Sequence, residues 1–86
     1  MPYIKYEDRI QYGPALLTLL RLLKSQPKGH LTYCLSVIAK DWITQDVPNY
    51  QRISDGLAAL ADSEAELRRT VLNPYEDKKI QENGDI

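Results

Sequence analysis

The sequence has a single cysteine, no phenylalanine, four glycines and no strong excess of either charge. Because Cys34 is alone, the chain can form neither an internal disulfide nor a cysteine-based zinc site. No apolar run approaches the roughly 20 residues of a membrane-spanning helix, and the first residues lack the apolar segment of a secretory signal. The net charge of -1 argues against nucleic acid and anionic membranes as partners. We therefore expect a cytoplasmic protein in a reducing compartment.

Side chains that carry enzyme chemistry are also scarce. The only histidine, His30, lies beside Gly29 in a predicted turn, where a solvated residue is expected. Cys34 shares a helical stripe with leucine and isoleucine and is typical of a small core residue. The glycines are too scattered for a phosphate-binding loop. The acidic residues near the C-terminus interleave with Lys78 and Lys79 and do not match a calcium-binding loop. We predict no enzymatic activity, no cofactor and no metal.

Helical periodicity is present along most of the chain, and prolines and glycines mark the boundaries. Residues 1–86 are predicted to form one all-α domain, in which a helical hairpin is followed by a long third helix and a short C-terminal helix. Gly29 is the residue expected to adopt a positive φ between the first two helices. The predicted segments are a polar lead at 1–13 and helices at 15–25, about 31–44, 48–72 and 74–83, with the C-terminal helix and tail at 74–86.

The third helix has two interpretations. Its apolar residues keep one phase across Ser63, which favours a continuous helix, although Ser63 and Glu66 match a capping box that could begin a new one. Glu64 lies within the stripe, either at its rim with the carboxylate in water or as a polar group that sets the register of a helix pair. The apolar members of the stripe are Ile53, Leu57, Leu60, Leu67 and Val71.

The segment Asn73-Pro74-Tyr75-Glu76 predicts a helix start. Asn73 is a suitable N-cap, proline suits the first helical position, and Glu76 can reach back to the cap. We therefore expect a bend at Asn73-Pro74, and Gly84 should stop the helix that follows.

The first predicted helix is apolar over more than half of its circumference. A surface helix of a monomer has an apolar stripe only a little over 100° wide. Either the second and third helices cover it from both sides, or a second copy of the chain covers part of it. In the second case the chain is a homo-oligomer whose predicted self-association residues are Leu16, Leu17, Leu20 and Leu22.

A basic and aromatic set surrounds the Asn73-Pro74 bend. Arginine beside tyrosine can bind a phosphate or stack on a base, so the set is a candidate site for a small anionic ligand of the nucleotide type. Alternatively, Glu66, Glu76 and Asp77 neutralise it. The candidate ligand-binding residues are Arg68, Arg69, Tyr75, Lys78 and Lys79.

Both ends of the chain resemble a small uncharacterised family found in phages and in bacterial and archaeal genomes. The resemblance lies in Met1-Pro2-Tyr3-Ile4, in Tyr50-x-x-Ile53-x-Asp55-Gly56 and, most specifically, in the ending PYEDKKI-x-ENGD. It implies a compact helical protein with a phage link, and it carries no catalytic residue. We expect a non-enzymatic protein that self-associates and binds a macromolecular partner. The alternative is a protein that binds or sequesters a nucleotide-type ligand through the basic set.

Overall fold

The computed structural model describes residues 3–47 and 49–86, and every regular element in those ranges is helical, which confirms the all-α prediction. The chain divides into two units, Met1–Ser36 and Val37–Ile86, and α3 contributes residues to both. In chain order the elements are α1 (Tyr6–Arg9), a 3-10 turn (Ile10–Tyr12), α2 (Gly13–Leu23), α3 (Lys28–Ile43), α4 (Tyr50–Leu67), a π turn (Arg68–Leu72) and α5 (Asn73–Asn83).

In the first unit, α2 ends two residues before the predicted boundary. The backbone leaves the helix at Lys24, and Ser25 then takes a φ of 68°, so the left-handed residue is Ser25. The prediction of a positive φ at Gly29 is wrong, because Gly29 lies in the first turn of α3. Proline disfavours helical dihedrals in the residue before it, so α2 must end before Pro27. The chain therefore changes direction in the residues between the end of α2 and Pro27.

The polar lead is partly helical. α1 and the 3-10 turn bring the chain into α2, and Pro14 occupies the first turn of that helix as predicted. Glu7 and Asp8 lie in the first turn of α1, where the partial positive charge of a helix N-terminus stabilises carboxylates.

The second unit contains a tight corner between the end of α3 and the beginning of α4. Asn49 caps α4, since its side-chain oxygen accepts a hydrogen bond of 2.8 Å from the backbone N–H of Arg52. The predicted helix start at Pro48 lies outside the described residues. Gly56 is the one described residue that is buried, because Ile43 and Trp42 pack directly over it. The missing side chain of Gly56 lets the two helices approach at this point.

α4 continues through Ser63, so the prediction of an unbroken helix is confirmed there. Ser63 donates its hydroxyl hydrogen bond to the carbonyl of Ala59, at 2.9 Å, and does not act as a cap. The alternative of a new helix beginning at Ser63 is wrong.

The predicted bend at Asn73-Pro74 is not observed as a helix end. Leu72 and Asn73 both have right-handed helical dihedrals, and no side-chain hydrogen bond caps the start of α5. The backbone N–H of Asn73 bonds to the carbonyl of Arg68, five residues earlier, which is the bond of a π turn. Proline has no N–H, and in an α-helix its ring meets the carbonyl four residues before it. The wider turn accommodates Pro74 inside the helix, so helix continues from Tyr50 to Asn83, and Gly84 ends it as predicted.

Apolar side chains remain accessible in both units. No hydrophobic residue in the described part of the chain is buried. Cys34, predicted as a core residue, is only half-buried. Helices in water take most of their stability from packing an apolar face, so these helices present faces that require cover.

We predict opposite effects for alanine at two helical glycines. Gly29→Ala should stabilise the chain by about 0.5–1 kcal/mol, because alanine is the better helix former and nothing lies within 4 Å of the added Cβ. At Gly56 the added Cβ would overlap the Ile43 side chain, and overpacking costs about 1–3 kcal/mol. Thermal unfolding followed by circular dichroism measures both. A gain in melting temperature for Gly56→Ala equal to that of Gly29→Ala would contradict the close approach.

We predict that Pro74→Ala leaves the helix content equal or higher. The new N–H can bond to the carbonyl of Thr70, so the π turn can convert to a regular α-helical turn. Pro14→Ala is the matched control, since Pro14 lies in the first turn of α2, where no helical bond is lost. Far-UV circular dichroism measures helix content. A loss of helix in Pro74→Ala alone would contradict the continuous helix.

Candidate functional site

The two arginines of the basic set form ion pairs within their own helix. Arg68 contacts Glu64, four residues earlier, with its Nε donating to Oε1 at 3.0 Å. Arg69 contacts Glu66 at 2.8 Å, and this hydrogen bond lowers the pKa of the Glu66 carboxyl below its ordinary value. The carboxylates that neutralise the arginines therefore come from the preceding turn. Glu76 and Asp77 do not supply them.

The lysines of the set differ in their surroundings. Lys79 contacts Glu82 at 3.2 Å and also lies 5.7 Å from the ring centroid of Tyr75. Lys78 is exposed. Exposed ion pairs of this kind contribute little to stability, typically under about 1 kcal/mol.

The five residues of the set do not converge on one site. Arg68 and Tyr75 line a shallow, mostly apolar groove along the helix, whereas Arg69, Lys78 and Lys79 are not among its lining residues. Three of the four cations have a carboxylate partner on their own helix. The residues that line this groove are Glu64, Leu67, Arg68, Val71, Leu72 and Tyr75.

The predicted self-association leucines are all exposed. Leu16, Leu17, Leu20 and Leu22 keep 53%, 48%, 62% and 68% of their surface accessible. Leu19 and Leu23 are half-buried and, with Leu22, line a second groove in the first unit. The width of the apolar surface on α2 therefore exceeds what the first unit covers. The other residues of that groove are Gly29, His30, Tyr33 and Cys34.

The sequence analysis missed the interaction between Arg52 and Trp42. The Arg52 guanidinium carbon lies 3.2 Å from the centroid of the Trp42 ring, and its Nε donates to the Trp42 carbonyl at 2.8 Å. A second nitrogen donates to the side-chain oxygen of Gln45 at 3.3 Å. Arg52 thereby closes the end of α3, where carbonyls lack helical partners. Asn49 marks where α4 begins by accepting from the Arg52 backbone N–H, but no local signal in the sequence joins the Arg52 side chain to Trp42.

The ranges that the structure describes contain no candidate metal-binding cluster. No group of three or more histidine, cysteine or carboxylate side chains is placed to hold an ion within residues 3–47 and 49–86. The same ranges contain no helix that is both long and apolar enough to cross a membrane.

These features define an all-helical protein with exposed apolar faces. The chain belongs to the family described as domain of unknown function DUF6899, whose model matches residues 1–86. The resemblance to an uncharacterised family is confirmed to that extent. No curated protein and no solved structure matches the chain.

We predict that Arg52→Met destabilises the chain by about 1–2 kcal/mol, because the charged hydrogen bond and the cation–π contact are both lost. Trp42 is the only tryptophan, so its fluorescence spectrum reports the loss of the stacked guanidinium directly. Arg21→Met on α2 is the control and should leave the emission unchanged. Identical emission spectra for Arg52→Met and the wild type would show that the stack does not form in solution.

Proposed function

We propose that this chain is a non-enzymatic helical protein that self-associates and acts by binding a macromolecular partner. The observation that carries the proposal is the exposure of large apolar side chains in both units. Contiguous exposed apolar surface marks interaction sites in soluble proteins. Its removal from water is the main driving force of protein association.

The leucine surface of α2 supports self-association most directly. Leu16, Leu17 and Leu20 are not among the residues that line the groove beside α3, and Leu22, which lies at that groove, still keeps 68% of its surface accessible. Closed homo-oligomers, most often two-fold dimers, are the commonest assemblies of soluble proteins. A second copy of the chain is therefore the simplest cover for this surface.

The remaining parts of the proposal have separate support. The absence of a nucleophile, base and metal-ligand set in the sequence supports a non-enzymatic role. The phage link is supported by the resemblance of the two chain ends, and the cytoplasmic location by the single cysteine. The nucleotide-binding alternative has weaker support, since Arg68, Arg69 and Lys79 already pair with carboxylates.

We predict that the wild-type chain elutes as an oligomer in size-exclusion chromatography with light scattering. Replacing Leu20 and Leu22 by glutamine should shift the equilibrium towards monomer, because the change removes two apolar side chains from the proposed contact between copies. Thr18→Gln, on the polar side of α2, is the control and should not change the mass. A wild-type monomer at high micromolar concentration would overturn the proposal.

A further inference from the structure

The long helix that runs from α4 through the π turn into α5 carries a second apolar face. Along it, positions of one face recur at alternating steps of three and four residues, the spacing of a helix–helix seam. Continued regularly, a step of three residues from Val71 would place Pro74 on that face. We use the term seam for Tyr50, Ile53, Leu57, Leu60, Glu64, Leu67, Val71 and Tyr75.

The π turn is what brings Tyr75 onto the seam. A π turn holds one residue more than an α-helical turn, so the residue after Pro74 takes the place that the proline would have had. The structure shows the result, because Tyr75 lines one groove together with Leu67 and Val71. The seam therefore spans about 38 Å of helix at 1.5 Å per residue.

The seam residues are exposed in the second unit. Tyr50 is 85% accessible, Leu57 58%, Leu67 61% and Val71 62%. Ile53 and Leu60 are the most covered apolar members and still keep 39% each. The face has the spacing of a helix pair, and beyond the contact of α3 at Gly56 its apolar side chains stay largely accessible.

The order of side chains along the seam is nearly the same in both directions. Tyrosine stands at each end, followed inwards by a β-branched residue and then by leucine, and Leu60 and Glu64 form the centre. In a two-fold interface each residue meets its counterpart reciprocally, so the contacting surface must complement itself. An antiparallel pair of these helices matches Tyr50 with Tyr75, Ile53 with Val71, and Leu57 with Leu67.

Glu64 distinguishes the two orientations of such a pair. In a parallel pair in register, the two Glu64 carboxylates would oppose each other, and like charges at a seam are unfavourable. In the antiparallel pair each Glu64 lies opposite Leu60. Its carboxylate stays at the rim, where Arg68 of its own helix holds it at 2.9 Å.

The residues that flank the seam allow the helices to approach closely. Apart from Arg68, the flanking side chains between Ser54 and Thr70 are small. Helix axes can come within about 8–10 Å when the contact residues permit it. The small flanking residues that remain open are Ser54, Ala61, Ser63 and Thr70, whereas Gly56 is covered by Ile43 and Trp42.

From these observations we propose that the α4–π–α5 helix pairs antiparallel with the same helix of a second copy of this chain, with the two-fold axis near Asp62. The inference rests on the proposed self-association and adds, beside the α2 leucines, a second contact surface and the orientation of the two copies along it. The pairing brings Ala61 opposite Ala61 and Ser63 opposite Ser63 of the second copy. In a parallel pair these flanking positions lie on opposite sides of the seam, and Leu60 meets Leu60.

Disulfide trapping tests the orientation. In a Cys34→Ser background, Ala61→Cys and Ser63→Cys should each form a covalent dimer on mild oxidation, and Ala59→Cys, on the outward side of the helix, should not. Leu60→Cys should crosslink poorly. Efficient Leu60→Cys dimers without Ala61→Cys or Ser63→Cys dimers would show a parallel pair and overturn the proposal.

The same variants are measured under reducing conditions by light scattering. An oligomer that forms no Ala61→Cys or Ser63→Cys crosslink overturns the seam and leaves the proposed self-association standing. A monomer overturns both.

A second measurement concerns the polar seam residue. Glu64→Leu should lower the dissociation constant about tenfold or more, because a leucine is buried at the centre of the pair. It should also permit Leu60→Cys crosslinks by removing the charge that disfavours the parallel pair. Asp62→Leu, which lies off the seam, is the control. No change in affinity for Glu64→Leu would place the helix pair elsewhere and overturn the proposal.

Discussion

The structure depends on a constraint that each long helix shares: its backbone hydrogen bonds are satisfied locally, and its apolar face is only partly covered. The ends of the helices are well specified by Ser25, Asn49 and Gly84. Between those ends, the described hydrophobic residues all stay accessible. Packing of apolar faces is what stabilises most helices in proteins. The proposed self-association would supply the packing that this incomplete burial lacks.

Gly56 and Arg52 fix a close approach between two helices of the second unit. Gly56 permits contact with Ile43, and Arg52 holds the last turn of α3 through Trp42 and Gln45. Both interactions lie beside the turn that joins α3 and α4. They anchor the beginning of the long helix and leave the rest of its length for other contacts.

The sequence predicted the helical class, the continuity of α4 through Ser63 and the stop at Gly84, because periodicity and glycine caps act locally. It was misleading at Asn73-Pro74, where a good cap and a proline normally begin a helix. The helix instead continues through Asn73-Pro74, because one of its turns holds an extra residue. The Arg52–Trp42 contact spans ten residues and a corner, so no periodic pattern could indicate it. For the basic set the sequence left two interpretations open, a ligand site or neutralisation by carboxylates, and the observed partners of its arginines are Glu64 and Glu66.

The π turn also has a consequence for evolutionary change in this family. A turn that holds one extra residue is what a helix forms when its gene gains a single codon, and losing that codon restores the regular helix. The stretch from Arg68 to Leu72 is thus a natural position for one-residue gaps between homologous sequences. A relative that has no proline at this point and is one residue shorter would keep its tyrosine on the same side of the helix. Among homologous sequences, the length of this stretch and the presence of the proline should therefore vary together.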